Sequence, residues 1–343
     1  MSTRRRKLRL LALMDKLLLP PDEPGDADLD TVEWRTEYYV VSALRALGHE
    51  VHCLGVATDL GVIRTAIEET KPDAVFNLLE DFKDVPIWDQ NVVAYLELLG
   101  VPYTGCNSRG LMLARDKAIT KKLLSYHRIP VPEFHVFRMG HAVVRPKRLA
   151  FPLIVKSLTK EGSAGISKLS VVDSDQKLKE RVALVHKRQH TDAIVERYID
   201  GRELYVGVLG TRRLQVLPVW EMAFEKLPEE APRIATERVK WDAAYQKKHG
   251  IDTAAAKGLS DATVAQIQNL CRRVYRILEL SGYARIDLRL DAEGKLYVLE
   301  ANPNPQIADE EDFAASAREA GLSYRALIQR IVNLALEGRD AAE

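Results

Sequence analysis

The sequence predicts a mixed α/β and α+β protein of three lobes, and three observations carry that prediction. Strand and helix signals alternate over the first hundred or so residues, short β-like runs joined by turns follow Gly105, and the last third holds a long helix and then two closely spaced strands. The run KLRLLALM (7–14) reads as the first strand. The preceding MSTRRRK resembles the start of a signal peptide, but Arg9, Asp15 and Lys16 interrupt the apolar run and no small-residue cleavage site follows. A strand behind a basic tip is the expectation. After a polar, proline-rich loop, Asp30 and Glu33 form a capping pair for a helix expected to reach Leu47, where Gly48 stops it. EVHCLGV (50–56) and AVFNLL (74–79) read as strands with a helical pattern between them, and WDQNVVAYLELLG (88–100) as an amphipathic helix closed by glycine. This alternation predicts a small parallel sheet.

Beyond Gly105 a helix is expected from Arg115 to Tyr126, followed by the IPVPEF break (129–134). The runs PLIVKSL (152–158), SKLSVV (167–172), AIVERYI (193–199) and ELYVGVLG (203–210) then read as one antiparallel sheet, with a charged helix on one side. The final third supplies a helix over 261–281, strands at 284–290 and 296–302, and a helical C-terminus. The expected units are an N-terminal α/β domain (1–107), a central subdomain with a phosphate-binding loop (108–200) and a C-terminal subdomain with a metal site (201–343).

Fifty Lys and Arg against 49 Asp and Glu leave a formal charge of +1, so nothing drives the chain as a whole toward nucleic acid or an anionic membrane. No stretch approaches the roughly 18 uncharged apolar residues that cross a bilayer. The three cysteines (Cys53, Cys106, Cys271) are scattered and include no CxxC pair, which fits a reducing, cytoplasmic setting and argues against a thiolate zinc site.

Four features carry chemistry. Asp287 lies on one β-like segment and Glu300 and Asn302 on the next, with the turn DAEGK between them. Side chains two apart share a strand face, so Glu300 and Asn302 are expected to oppose Arg285 and Asp287 and to form an all-oxygen site suited to Mg²⁺. In KSLTKEGSAGISK (156–168), Gly162 and Gly165 bracket Ser163 and Ala164, a turn whose N–H groups can cradle phosphate, with Lys156 on the entering strand. VERYIDGRE (195–203) places Glu196 and Ile199 to line a purine and Glu203 to accept from ribose hydroxyls. Lys117 and Lys240 complete the set, although each singly looks like any solvated lysine.

Together these residues resemble the ATP-grasp superfamily, and within it the D-alanine–D-alanine ligase-like group. The likeness rests on YTG (103–105), RDKAITKKLL (115–124), PLIVKSLTKEGSAGIS, VERYIDGREL, VKW (239–241) and ARIDLRLDAEGKLYVLEANPNP, in that order. It implies two lobes sandwiching ATP. Lys117 and Lys156, with Gly162 and Ser163, would hold the phosphates, and Glu196, Arg197, Ile199 and Glu203 the adenine and ribose. Lys240 would reach the γ-phosphate from a mobile segment (221–250), Asp287, Glu300 and Asn302 would ligate two Mg²⁺ ions (Mn²⁺ as a substitute), and Arg285 would stabilise an oxyanion. The implied reaction joins a small-molecule carboxylate to an amine through an acyl phosphate, in a cytoplasmic homodimer. Readings from other classes are a small-molecule kinase and a non-catalytic ATP-binding regulator.

Two departures bear on the substrate. The first loop, PPDEPGDADLDTVEWRTE, lacks the group's glycines, leaving Asp28, Asp30 or Glu33 as candidates to grip an ammonium. After Asn302, NPNPQIADEEDF places Gln306 where the group has glycine and Glu311 where it has a carboxylate-binding serine. The acidic run Asp309–Asp312 is expected either to repel a carboxylate, favouring a cationic amine substrate over plain D-alanine, or simply to complement a helix N-terminus.

Overall fold

The computed structural model describes residues 6–29, 31–160, 162–227 and 232–339. Its first unit is a parallel sheet, β1 (Arg9–Asp15), β2 (Glu50–Val56) and β3 (Ala74–Asn77), in the order β2-β1-β3. The period of two along β1 sorts its side chains between two cores. Leu10, Ala12 and Met14 meet Val40 and Leu44 of α1 (Arg35–Ala46), whereas Leu11 and Leu13 meet Ile63 of α2 (Gly61–Thr70) and Val92 and Leu96 of α3 (Asp89–Leu98). Helix α1 begins later than expected. Trp34 occupies its N-cap without a side-chain bond, and the proposed Asp30–Glu33 cap is not seen, Asp30 lying outside the described residues.

The helix expected over 115–126 is α5 (Lys117–Tyr126), and a helix not expected, α4 (Ser108–Arg115), precedes it. Asp116 separates them because its side chain accepts from the N–H groups of Ala118 and Ile119, which starts a new helix. A four-stranded antiparallel sheet follows, in the order β4-β7-β5-β6, from β4 (Phe134–Phe137), β5 (Leu153–Ser157), β6 (Val171–Val172) and β7 (Ala193–Arg197). Leu153, Val155 and Val195 bury one face beneath Leu178, Val182 and Val185 of α6 (Asp175–Gln189). In SKLSVV only the last two residues are extended; 168–170 form a 3₁₀ turn.

The run at 203–210 does not join that sheet. As β8 (Arg202–Leu209) it enters a second antiparallel sheet, β10-β9-β8-β11-β12, with β9 (Gln215–Phe224), β10 (Ile251–Ala255), β11 (Tyr283–Leu290) and β12 (Leu296–Pro303). Strands β4, β9 and β10 carry no clear signal in the sequence, and the segment 221–250 is largely structured, ending β9 and then forming α7 (Glu237–Trp241) and α8 (Ala243–His249). Helix α9 (Asp261–Ile277), shorter than expected, covers one face of this sheet. The last helices, α10 (Asp312–Glu319) and α11 (Tyr324–Arg339), turn back: Ala314, Ala317, Leu327, Ile328 and Ile331 share the core of Leu10, Ala12 and Met14. Among the described residues no helix is long and apolar enough to cross a membrane.

Candidate active site

Pleating of the five-stranded sheet builds the site. Antiparallel register pairs Arg285 with Gly207, Asp287 with Tyr205 and Arg289 with Glu203, so these polar residues share one face. The alternate residues Leu204, Val206, Val208, Ile286 and Leu288 face α9 in the core. On the other side of β11, Arg285 opposes Asn302 and Asp287 opposes Glu300, as the alternation predicts. A bulge then makes Leu288 oppose Val298, leaving Leu299 as the extra residue. Without it Val298 would share the face of Glu300; with it Val298 is fully buried in the core and Glu300 stays at the cleft.

The smaller sheet supplies the opposite wall. Ile154 pairs with Glu196 and Lys156 with Ile194, which puts Lys156 and Glu196 on the face away from α6. Between the two sheets lies a cleft. Its lining includes Lys117, Lys156, Gly162, Ser163, Glu196, Arg197, Ile199, Glu203, Lys240, Asp287 and Glu300, drawn from segments more than 150 residues apart. Arg285 and Asn302 do not line the cleft itself; they sit two residues further along the same strands.

Each carboxylate here has a cation. Glu196, 1% exposed, is shared by Lys121 and Lys156, each at 3.3 Å. Glu203 receives Arg289 at 2.5 Å and the Tyr205 hydroxyl at 2.8 Å. Asp287 is held by Arg285 through two bonds of 2.8 and 3.0 Å, and the guanidinium lies over the Tyr205 ring. Lys117 donates to the Lys160 carbonyl at 2.8 Å and lies 3.8 Å from Glu300. Burial raises the Glu300 pKa, but Lys117, Lys156, Lys240 and Arg285 outweigh it and hold the group at about 2. Burial prevails at Asp287 and pushes its carboxyl up despite Arg285. Among the described residues six cationic side chains line the cleft against four carboxylates, an imbalance suited to a polyanion.

The two segments expected to close over the cleft touch each other. Gly162, Ser163 and Gly165 all take positive φ, and the Gly165 N–H donates to Glu237 Oε2 at 3.3 Å while the Glu237 N–H donates to the Ile166 carbonyl at 3.0 Å. Arg181, from α6, holds the Gly165 carbonyl. Gly105 of the YTG motif, at φ +95°, packs so closely on Asn304 that a Cβ there would lie 2.5 Å from its Oδ1.

Four residues of consequence escape the sequence reading. Lys121 donates to the Leu299 carbonyl at 2.7 Å and stands four residues after Lys117 on α5; that i, i+4 spacing is the signal that could have found it. Arg289 and Tyr205 follow from strand alternation once the register is known. Glu37 lies in the first turn of α1, which packs on the parallel sheet. It falls in the apolar stripe Glu37, Val40, Val41, Leu44, a carboxylate where the helix should be greasy. The acids first considered for an ammonium, Asp28 and Glu33, are exposed, whereas Glu37 is buried. The run 309–312 is not bare either: Asp309 pairs with Arg318, Glu310 and Glu311 with Arg35, and Asp312 with the Thr253 hydroxyl. Gln306 reaches Thr36 at 3.2 Å. Of the two expectations for this run, Glu311 at the N-cap of α10 and Asp312 in its first turn fit the complement to a helix N-terminus.

Two antiparallel sheets closing on a cationic cleft define an ATP-grasp protein, and solved structures agree. The D-alanine–D-alanine ligase of Bacillus anthracis complexed with ATP superposes with a TM-score of 0.76 over 98% of this chain and 100% of that one, at 22% identity. Residues 123–333 match the family described as D-ala D-ala ligase C-terminus. The D-alanine–D-alanine ligase of Desulforudis audaxviator is 32% identical, covering 89% of this chain and 94% of that one, and an uncharacterised protein of Sinorhizobium fredii is 35% identical, covering 86% of each. The chain belongs to the D-alanine–D-alanine ligase family, ATP-dependent enzymes that form carbon–nitrogen bonds.

Proposed function

We propose that this chain uses ATP to activate a small-molecule carboxylate as an acyl phosphate and then joins it to an amine, working in the cytosol with substrates of amino-acid size. The observation that carries the reading is the single polar face on which Arg285, Asp287, Glu300 and Asn302 converge beside a cleft with excess positive charge. Phosphoryl transfer needs mainly position and charge, and the cleft offers both.

Lys117 and Lys156 hold phosphate oxygens in this reading, the N–H groups around Gly162 and Ser163 cradle them, and Lys240 reaches the terminal phosphate from α7. Arg197, Ile199 and Glu203 face the base and ribose. Glu196 takes a different part from the one first expected: with both oxygens against Lys121 and Lys156, it positions those ammonium groups rather than touching the adenine. Among the described residues no three His, Cys, Asp or Glu side chains gather as a closed metal cage. Two carboxylates and an amide on one face fit Mg²⁺ better, since that ion keeps water and substrate phosphates in its shell. Asp287, Glu300 and Asn302 would hold it, and the ion would neutralise and align the triphosphate. Arg285 keeps N–H donors beyond the two given to Asp287, enough to receive the oxyanion that forms when the amine attacks.

Steady-state release of ADP and free phosphate, measured with ATP, Mg²⁺ and pairs of amino acids, tests this. Turnover should need both substrates. Phosphate retained on a product would indicate a kinase, and nucleotide binding without turnover under any pairing would indicate a regulator.

A further inference from the structure

Arg289 lines the cleft two residues beyond Asp287 on β11 and is only 3% exposed. Its register partner on β8 is Glu203, 7% exposed, and its guanidinium donates to Glu203 Oε2 at 2.5 Å. The same group donates to the Gly201 carbonyl at 2.8 Å and to the Arg233 carbonyl. Gly201 permits the first of these. At φ +138°, a Cβ there would lie 2.1 Å from the Leu290 carbonyl oxygen, so only glycine lets β8 start so close to the end of β11. Arg233 belongs to the segment between β9 and α7, the helix that carries Lys240. One guanidinium therefore joins the Glu203 carboxylate to the segment that leads to Lys240.

A buried ion pair of this kind is weak support for a fold, since well-packed apolar residues of the same volume often serve as well or better. What the pair supplies is position. A carboxylate offers about four lone-pair sites. Arg289 takes one on Oε2 and the Tyr205 hydroxyl, at 2.8 Å, takes one on Oε1, so each oxygen keeps acceptor capacity for one hydroxyl of a ribose diol. The side chain is meanwhile held at both oxygens. Lysine could not replace the guanidinium, because a point charge cannot meet three acceptors in fixed directions. We propose that Arg289 is a positioning residue for nucleotide recognition: it holds Glu203 so that both oxygens receive the ribose hydroxyls, and it ties that contact to the segment ahead of Lys240. This rests on the ligase reading above, in which Glu203 faces the ribose.

The test is equilibrium binding of ADP and of 2′,3′-dideoxy-ADP, each with Mg²⁺, to the full chain; the two nucleotides differ only in the ribose hydroxyls. The parent should bind ADP about tenfold or more tighter, the worth of hydrogen bonds to a charged acceptor. R289M should bring the ratio within about twofold by weakening ADP alone, with R289K in between. An equal weakening of both nucleotides, which is what a merely structural ion pair would give, overturns the inference, as does a parent chain that binds both alike. Should R289M not fold, Y205F, which frees Oε1 alone, decides: its ratio should fall by about threefold or more, and an unchanged ratio overturns the inference. ADP release with pairs of amino acids is read separately. Turnover of some pair, with a ratio that R289M leaves unchanged, keeps the ligase reading and ends this one, whereas a ratio that collapses in R289M with no turnover of any pair does the reverse.

Discussion

The cleft and the edge of the parallel sheet manage the same residue types in opposite ways. In the cleft the carboxylates of Glu196, Glu203, Asp287 and Glu300 each lie 2.5–3.8 Å from a Lys or Arg nitrogen, and positive charge is still left over. At the sheet edge Glu37 and Asp81 each keep a buried oxygen without a hydrogen bond. Glu196 Oε1 in the cleft also has no hydrogen bond, but the Lys121 nitrogen stands 3.3 Å from it.

The largest expected effect breaks the cleft's side of this comparison. Glu300→Gln or Asp287→Asn removes one of two carboxylates on the proposed magnesium face, and kcat for ADP release should fall about 10³-fold while the far-ultraviolet circular dichroism is retained. Loss of less than tenfold would mean that these acids only shape the fold. Lys121→Met comes next. It leaves Glu196 buried with Lys156 alone, at a cost of about 3–5 kcal/mol in urea unfolding, and it loosens Lys156 enough to raise the KM for ATP.

Much of this was legible in the sequence, for a physical reason. Alternation along ARIDLRL and LYVLEAN dictates which side chains share a face, so the opposition of Arg285 and Asp287 to Asn302 and Glu300 could be read before any coordinates. The bulge at Leu299 could not, because no glycine marks it and its cause is the need to return Val298 to the core. The strand at 203–210 was assigned to the wrong sheet because both sheets are antiparallel and partner choice is a long-range matter that pattern does not encode. For Glu37 the signal is a carboxylate at a position of the α1 pattern otherwise occupied by Val40, Val41 and Leu44.

The third effect sharpens the sheet-edge side. Burial, with Glu80 and Asp15 adding to it, raises the Glu37 pKa from 4.5 to about 7. A carboxyl whose folded pKa lies above its unfolded one binds more protons folded than unfolded, so stability is highest below the unfolded value and falls as pH rises to the folded value. The window is therefore between pH 4.5 and about 7, with a flat region above it. Glu37→Gln removes this titration. Unfolding free energies measured in urea across that window should show the variant gaining about 3 kcal/mol on the parent as pH rises. A difference independent of pH would show that Glu37 is not held in a protonated, desolvated state without ligand.

The smallest effect concerns the acidic run near the C-terminus. Arg35 bridges Glu310 at 3.1 Å and Glu311 at 3.8 Å, and the two acids are 64% and 32% exposed at their side chains. Pairs so open to water contribute little, so Arg35→Ala should lower stability by no more than about 1 kcal/mol. Its electrostatic consequence is directional. Removing the guanidinium frees Glu311, already raised in pKa by burial and by Asp312, and adds negative potential beside the first turn of α1. Urea unfolding of Arg35→Ala checks this: a loss well above that value would make the acids of 309–312, the partners of Arg318, Arg35 and Thr253, a tie between the C-terminal helices and their neighbours.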